Sequence, residues 1–380
     1  MGYCCNVLRV WLMLLCVLPV AANAATTSGI PVGEMARIVA GLQPAPAGFA
    51  PEAKALFPAF AHDVSAQWDS YREKIGVLMA NWACNEIEST PGETIFYPFS
   101  GPDLSSVNQF YPQAGRYIMV AMQRAGLPPS LDRQPVAELK RTLSAYRARW
   151  RFFARTGFFR TNDLDDFASR NEVTVSVTSQ LMAFAVRLGY DVEAVEPVQI
   201  SADGKDLVRV TENVNDLGAW NSVRLTLLKN GHRVILDYVR IDLSDSQLNK
   251  YPATRAFVEK AVANRMLVKA ASHLLQKHYF SILRDAILAH APSVVQDETG
   301  IEYAKLAAVF NTRLYGKFVK PHNLFQTNPQ ESLTQAYQNT RDIKPLTFRM
   351  GYDKSAGSAV VVATRGPAAA TPARSCGGQQ

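Results

Sequence analysis

Two dipeptides, Asp203-Gly204 and Asn230-Gly231, constrain this chain more than any other feature. Each supplies the positive φ angles that a tight hairpin turn requires. On either side of them apolar residues recur at every second position, through residues 192–200, 207–210, 223–228 and 233–241. Alternation flanking such turns predicts strands that double back on one another, so residues 191–243 read as an antiparallel meander.

Outside that stretch the period lengthens to helical spacing. Val64, Trp68, Tyr71, Ile75 and Leu78 predict a long helix over 51–81, and Leu139, Leu143, Tyr146, Trp150 and Phe153 predict another over 136–155. Ala271, Leu275, His278, Ile282 and Ala286 form a stripe that predicts one very long helix, or two in succession, over 257–289. Further helices are expected over 33–42, 115–125, 171–188 and 302–314, a structured loop over 90–112, and a polar loop over 294–301. Residues 346–364 can return to the sheet. Helices, then strands, then helices, without β-α-β alternation, give the expected class: α+β, mainly helical with one antiparallel sheet.

The domain plan follows from the ends of the chain. Arg9, the apolar run 10–21 and Ala22-Asn23-Ala24 read as a secretory signal peptide over 1–24, which places the protein in a periplasm or outside the cell. Residues 25–50 form an extended N-terminal segment, 51–365 one α+β domain, and the Ala/Pro/Gly-rich 366–380 a disordered tail. No other run is long enough to span a membrane. Signal cleavage leaves Cys84 and Cys376, and no stabilising bridge between them is expected, because Cys376 belongs to the tail. The formal net charge of +7 permits an anionic partner, but a secreted address argues against nucleic acid.

Nucleotide-binding glycine loops, a nucleophile elbow, His-Glu-x-x-His and Cys-x-x-Cys are all missing from the sequence, and the six histidines are scattered, so neither a cofactor nor a metal is indicated. Two segments carry concentrated polar chemistry. Phe96-Tyr97-Pro98-Phe99-Ser100-Gly101-Pro102-Asp103 holds a carboxylate among aromatics and prolines, where Asp103 can act as a base or bind a sugar hydroxyl, or cap a helix starting at Leu104. Gln296-Asp297-Glu298-Thr299-Gly300-Ile301 sets two acids side by side, which burial would make repel unless a cation or a cleft meets one of them. Lys269, on an otherwise apolar segment, needs an acid partner if buried. Asp103, Asp297 and Glu298 are therefore the candidate catalytic groups, and Tyr97, Ser100, Arg116, Lys269, His273 and Gln296 the candidate ligand contacts. Lys140, Arg147, Arg151 and Arg155 form a basic stripe beside the aromatic face of their helix.

Tyr97-Pro98-Phe99-Ser100-Gly101-Pro102-Asp103, Lys269-Ala270-Ala271-Ser272-His273 and Gln296-Asp297-Glu298-Thr299-Gly300-Ile301 together resemble a family of uncharacterised bacterial secreted proteins. Its members show a Tyr-Pro-Phe-Ser-Gly-Pro-Asp loop, a Lys-Ala-Ala-Ser-Tyr-type segment and a Gln-Asp-Asp-Ser-Gly-Ile-type loop. This chain departs from the pattern at His273, Glu298 and Thr299. The resemblance spans roughly residues 80–365 and implies no activity. Three functions remain open: binding of a small molecule or glycan in a cleft near 96–103, hydrolysis by an acid/base carboxylate pair, and interaction with the cell envelope through the basic stripe.

Overall fold

The computed structural model describes residues 29–43, 48–159, 175–211, 220–328, 330–352 and 358–366. The expected signal segment, the tail and the turn at 353–357 lie outside these residues. Within them the chain builds one ten-stranded mixed sheet. In chain order the strands are β1 (Thr94–Pro98), β2 (Arg116–Ala121), β3 (Asp191–Ile200), β4 (Leu207–Arg209), β5 (Ser222–Lys229), β6 (His232–Arg240), β7 (Arg265–Val268), β8 (Ser293–Asp297), β9 (Asn311–Tyr315) and β10 (Val360–Thr364). Their order across the sheet is β4-β3-β5-β6-β2-β1-β7-β8-β10-β9.

This corrects the expected fold class. The five central strands β6-β2-β1-β7-β8 run parallel. The antiparallel strands foreseen over 191–243 are one wing of the sheet, and β10 and β9 make the opposite wing. Asn230 and Gly231 do take the left-handed conformation, with φ of 51° and 76°, and join paired residues Lys229 and His232.

The errors at residues 116–121 and 265–268 share one cause. A parallel strand is covered on both faces, so it reads as an unbroken apolar run that periodicity cannot distinguish from a buried helix. The expected helix over 115–125 is β2. The long helix over 257–289 is a helix Pro252–Val262, then β7, two 3-10 turns and a helix Ser281–His290. The helix over 302–314 is a single short turn of helix, Tyr303–Ala307, followed by β9. The polar loop over 294–301 begins with β8, and among the described residues of 346–364 only β10 is a strand. The helix expected over 51–81 is interrupted at Arg72–Gly76 by a π-helical turn between Phe57–Tyr71 and Val77–Glu86.

Alternation within each central strand feeds two cores. Ile95, Tyr97, Tyr117, Met119, Leu236, Leu267 and Val295 face one, packed under helices that include Phe57–Tyr71, Leu104–Phe110, Val136–Thr156 and Val177–Arg187. Phe96, Ile118, Val120, Val239, Met266, Val268 and Val294 face the other, under Pro252–Val262 and Ser281–His290. Cys84 is disulfide-bonded, and the other cysteines, Cys376 among them, lie outside the described residues.

Candidate functional site

The pleat and the parallel centre together decide what meets at the carboxyl ends of β1, β7 and β8. Tyr97, Lys269 and Asp297 continue the positions of Ile95, Leu267 and Val295, so they stand on the same side of the sheet. There Asp103 caps the helix Leu104–Phe110 by accepting the Ser106 backbone N–H at 3.2 Å. Its Oδ2 accepts the Tyr97 hydroxyl at 3.0 Å and lies 2.8 Å from the Lys269 Nζ. Lys269 uses its remaining protons on Ser106 Oγ at 2.7 Å and the Gly157 carbonyl at 3.0 Å. Ser105 extends the network to the Tyr71 hydroxyl at 2.8 Å. Burial first, and then the Asp103 charge, push the Tyr97 and Tyr71 hydroxyls well above the ordinary phenol range. Tyr97 therefore acts as a donor to Asp103 rather than as a proton acceptor.

Asp297 lies on the other side of β7 and is also fully buried. It accepts the Ala270 N–H at 2.7 Å through Oδ2, and the Thr299 N–H and hydroxyl at 2.9 and 2.6 Å through Oδ1. Desolvation raises its pKa despite these bonds. Thr299 in turn accepts the Ala271 N–H at its hydroxyl and the His273 N–H at its carbonyl. Gln296 braces the same turn by bonding both the N–H and the carbonyl of Ile301. The two acids thus hold consecutive residues, Lys269 and Ala270, and clamp the segment that leaves β7.

That segment is strained. Ala270, Ser272 and His273 have φ of 53°, 53° and 57°, and Phe99, which leaves β1, has φ of 59°. Non-glycine residues pay on the order of 1–3 kcal/mol each for such conformations, and they persist where surrounding contacts over-determine them. Here the Asp297-Thr299 turn and the Lys269–Asp103 pair supply those contacts.

Phe99, Ala270 and Ser272 open onto a cleft of about 400 Å³. Phe99 and Gly101 after β1, Met122 and Gln123 after β2, Ile241 to Leu243 after β6, and Ala270 to Ser272 after β7 form its floor and sides. Phe280, Leu324, Phe325 and Tyr352 close over it. The Ser272 and Tyr352 hydroxyls lie 2.6 Å apart at its wall. No family model, curated protein or solved structure matches the chain.

The candidate residues therefore divide. Tyr97, Asp103, Lys269, Asp297 and Gln296 are brought together, but beneath the cleft rather than in its lining. Ser100 bonds the Val120 carbonyl and ties the β1 loop to β2. Glu298 is buried, and its carbonyl accepts the Gln330 side-chain amide. The His273 ring is fully buried against Phe325 at 4.8 Å, with neither nitrogen at hydrogen-bonding geometry; the Gln276 amide and the Lys277 charge are its polar neighbours, and burial lowers its pKa. Arg116 is elsewhere: at the start of β2 it pairs with Asp237 at 2.6 Å and Asp206 at 2.9 Å. In the basic stripe Arg147 pairs with Asp63, while Lys140, Arg151 and Arg155 are exposed. Among the described residues no three His, Cys, Asp or Glu side chains converge as metal ligands, and no helix is long and apolar enough to cross a membrane. Sequence reasoning missed Ser272 as a cleft residue although it stands in a segment already singled out. It missed Tyr352 for want of any local signal, because 80 positions separate the pair.

Proposed function

We propose that this chain is an exported protein that binds a small organic molecule in the cleft at the carboxyl ends of β1, β2, β6 and β7. One observation carries the reading. After β1 the chain crosses to β2 through Leu104–Phe110 on one face of the sheet, whereas after β7 it crosses to β8 through Ser281–His290 on the other. β1 and β7 are neighbours, so their loops diverge and leave a crevice between them. Open parallel sheets bind ligands in such a crevice, beyond the carboxyl ends of the strands. The cleft is lined from that crevice outward, and its walls are mostly apolar with a few hydroxyl and amide groups, as ligand pockets are.

A binding role is favoured over hydrolysis by a carboxylate pair. Asp103 and Asp297 are fully buried, each carboxylate oxygen accepts a protein donor, and neither lines the cleft. A general acid or base must reach its substrate within about 3 Å or through one water. Export rests on the apolar run 10–21 with Ala22-Asn23-Ala24, and the disulfide at Cys84 supports an oxidising compartment. The cleft is tested by screening neutral and charged small molecules for thermal stabilisation of the protein and of Met122→Trp. Met122 is 55% exposed at the mouth, so tryptophan there blocks entry without disturbing the core. Ligands that stabilise the wild type should fail to stabilise the variant; equal stabilisation of both proteins refutes the site.

A further inference from the structure

We infer that the segment from Gly316 to Asn328, which leaves β9, is a docking loop for an anionic lipid bilayer. Its sequence, Gly-Lys-Phe-Val-Lys-Pro-His-Asn-Leu-Phe-Gln-Thr-Asn, contains two lysines, four large apolar residues and no acid. The fold seats two of those apolar residues and presents the other two. Phe318 packs on Tyr337 of the helix Glu331–Asn339, with ring centroids 6.2 Å apart. Phe325 packs on His273 and on Tyr352, each at 4.8 Å. Val319 and Leu324 stay in water, 79% and 58% exposed, the two most exposed large apolar side chains among the described residues. Lys317 and Lys320, on either side of Val319 in the chain, are exposed as well.

The loop is held in this arrangement. His322 Nδ1 accepts the Leu324 N–H at 3.3 Å and caps a 3-10 turn over Asn323–Phe325, and Lys277 Nζ donates to the Asn328 side chain. With Phe318 and Phe325 seated at its two ends, the stretch between them displays Val319 and Leu324 on a fixed support. The chemistry of the displayed side selects the occupant. Aliphatic tips beside lysines suit a membrane surface: the aliphatic groups enter the boundary between headgroups and acyl chains, while the ammonium groups stay with the lipid phosphates and their stems cover apolar surface. Lysines next to an anionic leaflet add an attraction that fades within a Debye length. A protein partner fits less well, because the buried centres of protein interfaces are depleted in lysine and enriched in aromatic and arginine anchors. Leu324 also lines the cleft, so docking through this loop sets the cleft beside the lipid.

The test is co-sedimentation of the protein, in its exported form and under oxidising conditions, with vesicles of phosphatidylcholine alone and of phosphatidylcholine mixed with phosphatidylglycerol. Two variants are compared with the wild type, Val319→Ser and the double variant Lys317→Gln/Lys320→Gln. All three positions are exposed and lie outside the cleft lining, so the fold and the ligand site stay in place and the cleft stands or falls by its own test. The wild type should sediment with the anionic vesicles and far more weakly with the neutral ones. Val319→Ser should weaken that binding about tenfold, as loss of one buried apolar side chain does, and removal of both lysines should weaken it at least as much. No binding to the anionic vesicles, equal binding to the neutral ones, or binding that either variant leaves unchanged would overturn the inference.

Discussion

Replacing Lys269 by methionine tests the physical basis of the site most directly. Lys269 and Asp103 are 2% and 1% exposed at the side chain, and their 2.8 Å contact joins the segment after β7 to the loop after β1. Methionine keeps most of the volume and removes the charge. Asp103 would then keep its bonds from Tyr97 and from the Ser106 N–H but lose its ion pair with Lys269, and Ser106 Oγ and the Gly157 carbonyl would lose their donor. Breaking a buried pair from one side costs about 3–5 kcal/mol, because the remaining charge stays desolvated and uncompensated. Asp103→Asn alone strands the lysine and should cost a similar amount. The double variant leaves no stranded charge, so it should be more stable than the sum of the single losses by on the order of 2 kcal/mol. Urea unfolding of the four proteins at neutral pH, under oxidising conditions, measures the cycle. Additivity within about 0.5 kcal/mol would refute the argument, since it would mean that the two charges do not depend on one another.

Two further outcomes follow from the same end of the sheet. A Cβ on Gly351 would fall 2.0 Å from Asp297 Oδ2, with φ of +66°, whereas Gly231 has φ of +76° and nothing within 4 Å. Gly231→Ala should therefore cost only about 1 kcal/mol in chemical denaturation, and Gly351→Ala several times more; equal costs would show that the contact with Asp297 yields freely. The His273 pKa is lowered by burial from 6.5, so the neutral ring stabilises the fold fully above that value and the contribution is lost as pH falls below it. His273→Phe keeps a ring against Phe325 and should flatten the decline in stability between about pH 7 and 5; an unchanged slope would place the pH dependence on other groups.

The sequence by itself determined the features that depend on neighbours along the chain. The turn at Asn230-Gly231 needs only two residues that tolerate positive φ, the helix Val136–Thr156 follows its own stripe, and Asp103 caps the helix that begins at the next residue. The sequence also offered Lys269 or Arg116 as the cation for Asp103, Asp297 or Glu298, because a lysine in an apolar stretch must find an acid and these acids stood in the least surface-like segments; the structure pairs Lys269 with Asp103 and puts Arg116 on Asp237 and Asp206. Tertiary structure decided the rest. Whether 116–121 and 265–268 became strands depended on covering both of their faces at once, and local periodicity carries no record of that. The role of the acids turned on the same point: once β1, β7 and β8 were parallel neighbours, Asp103 and Asp297 lay under the loops as clamps, and the cleft above them was walled by Phe99, Met122, Leu243, Ser272, Phe325 and Tyr352. Those residues come from six separate stretches of chain, and what unites them is the divergence of two crossovers at adjacent strands, a property of strand order that exists only after the sheet has formed.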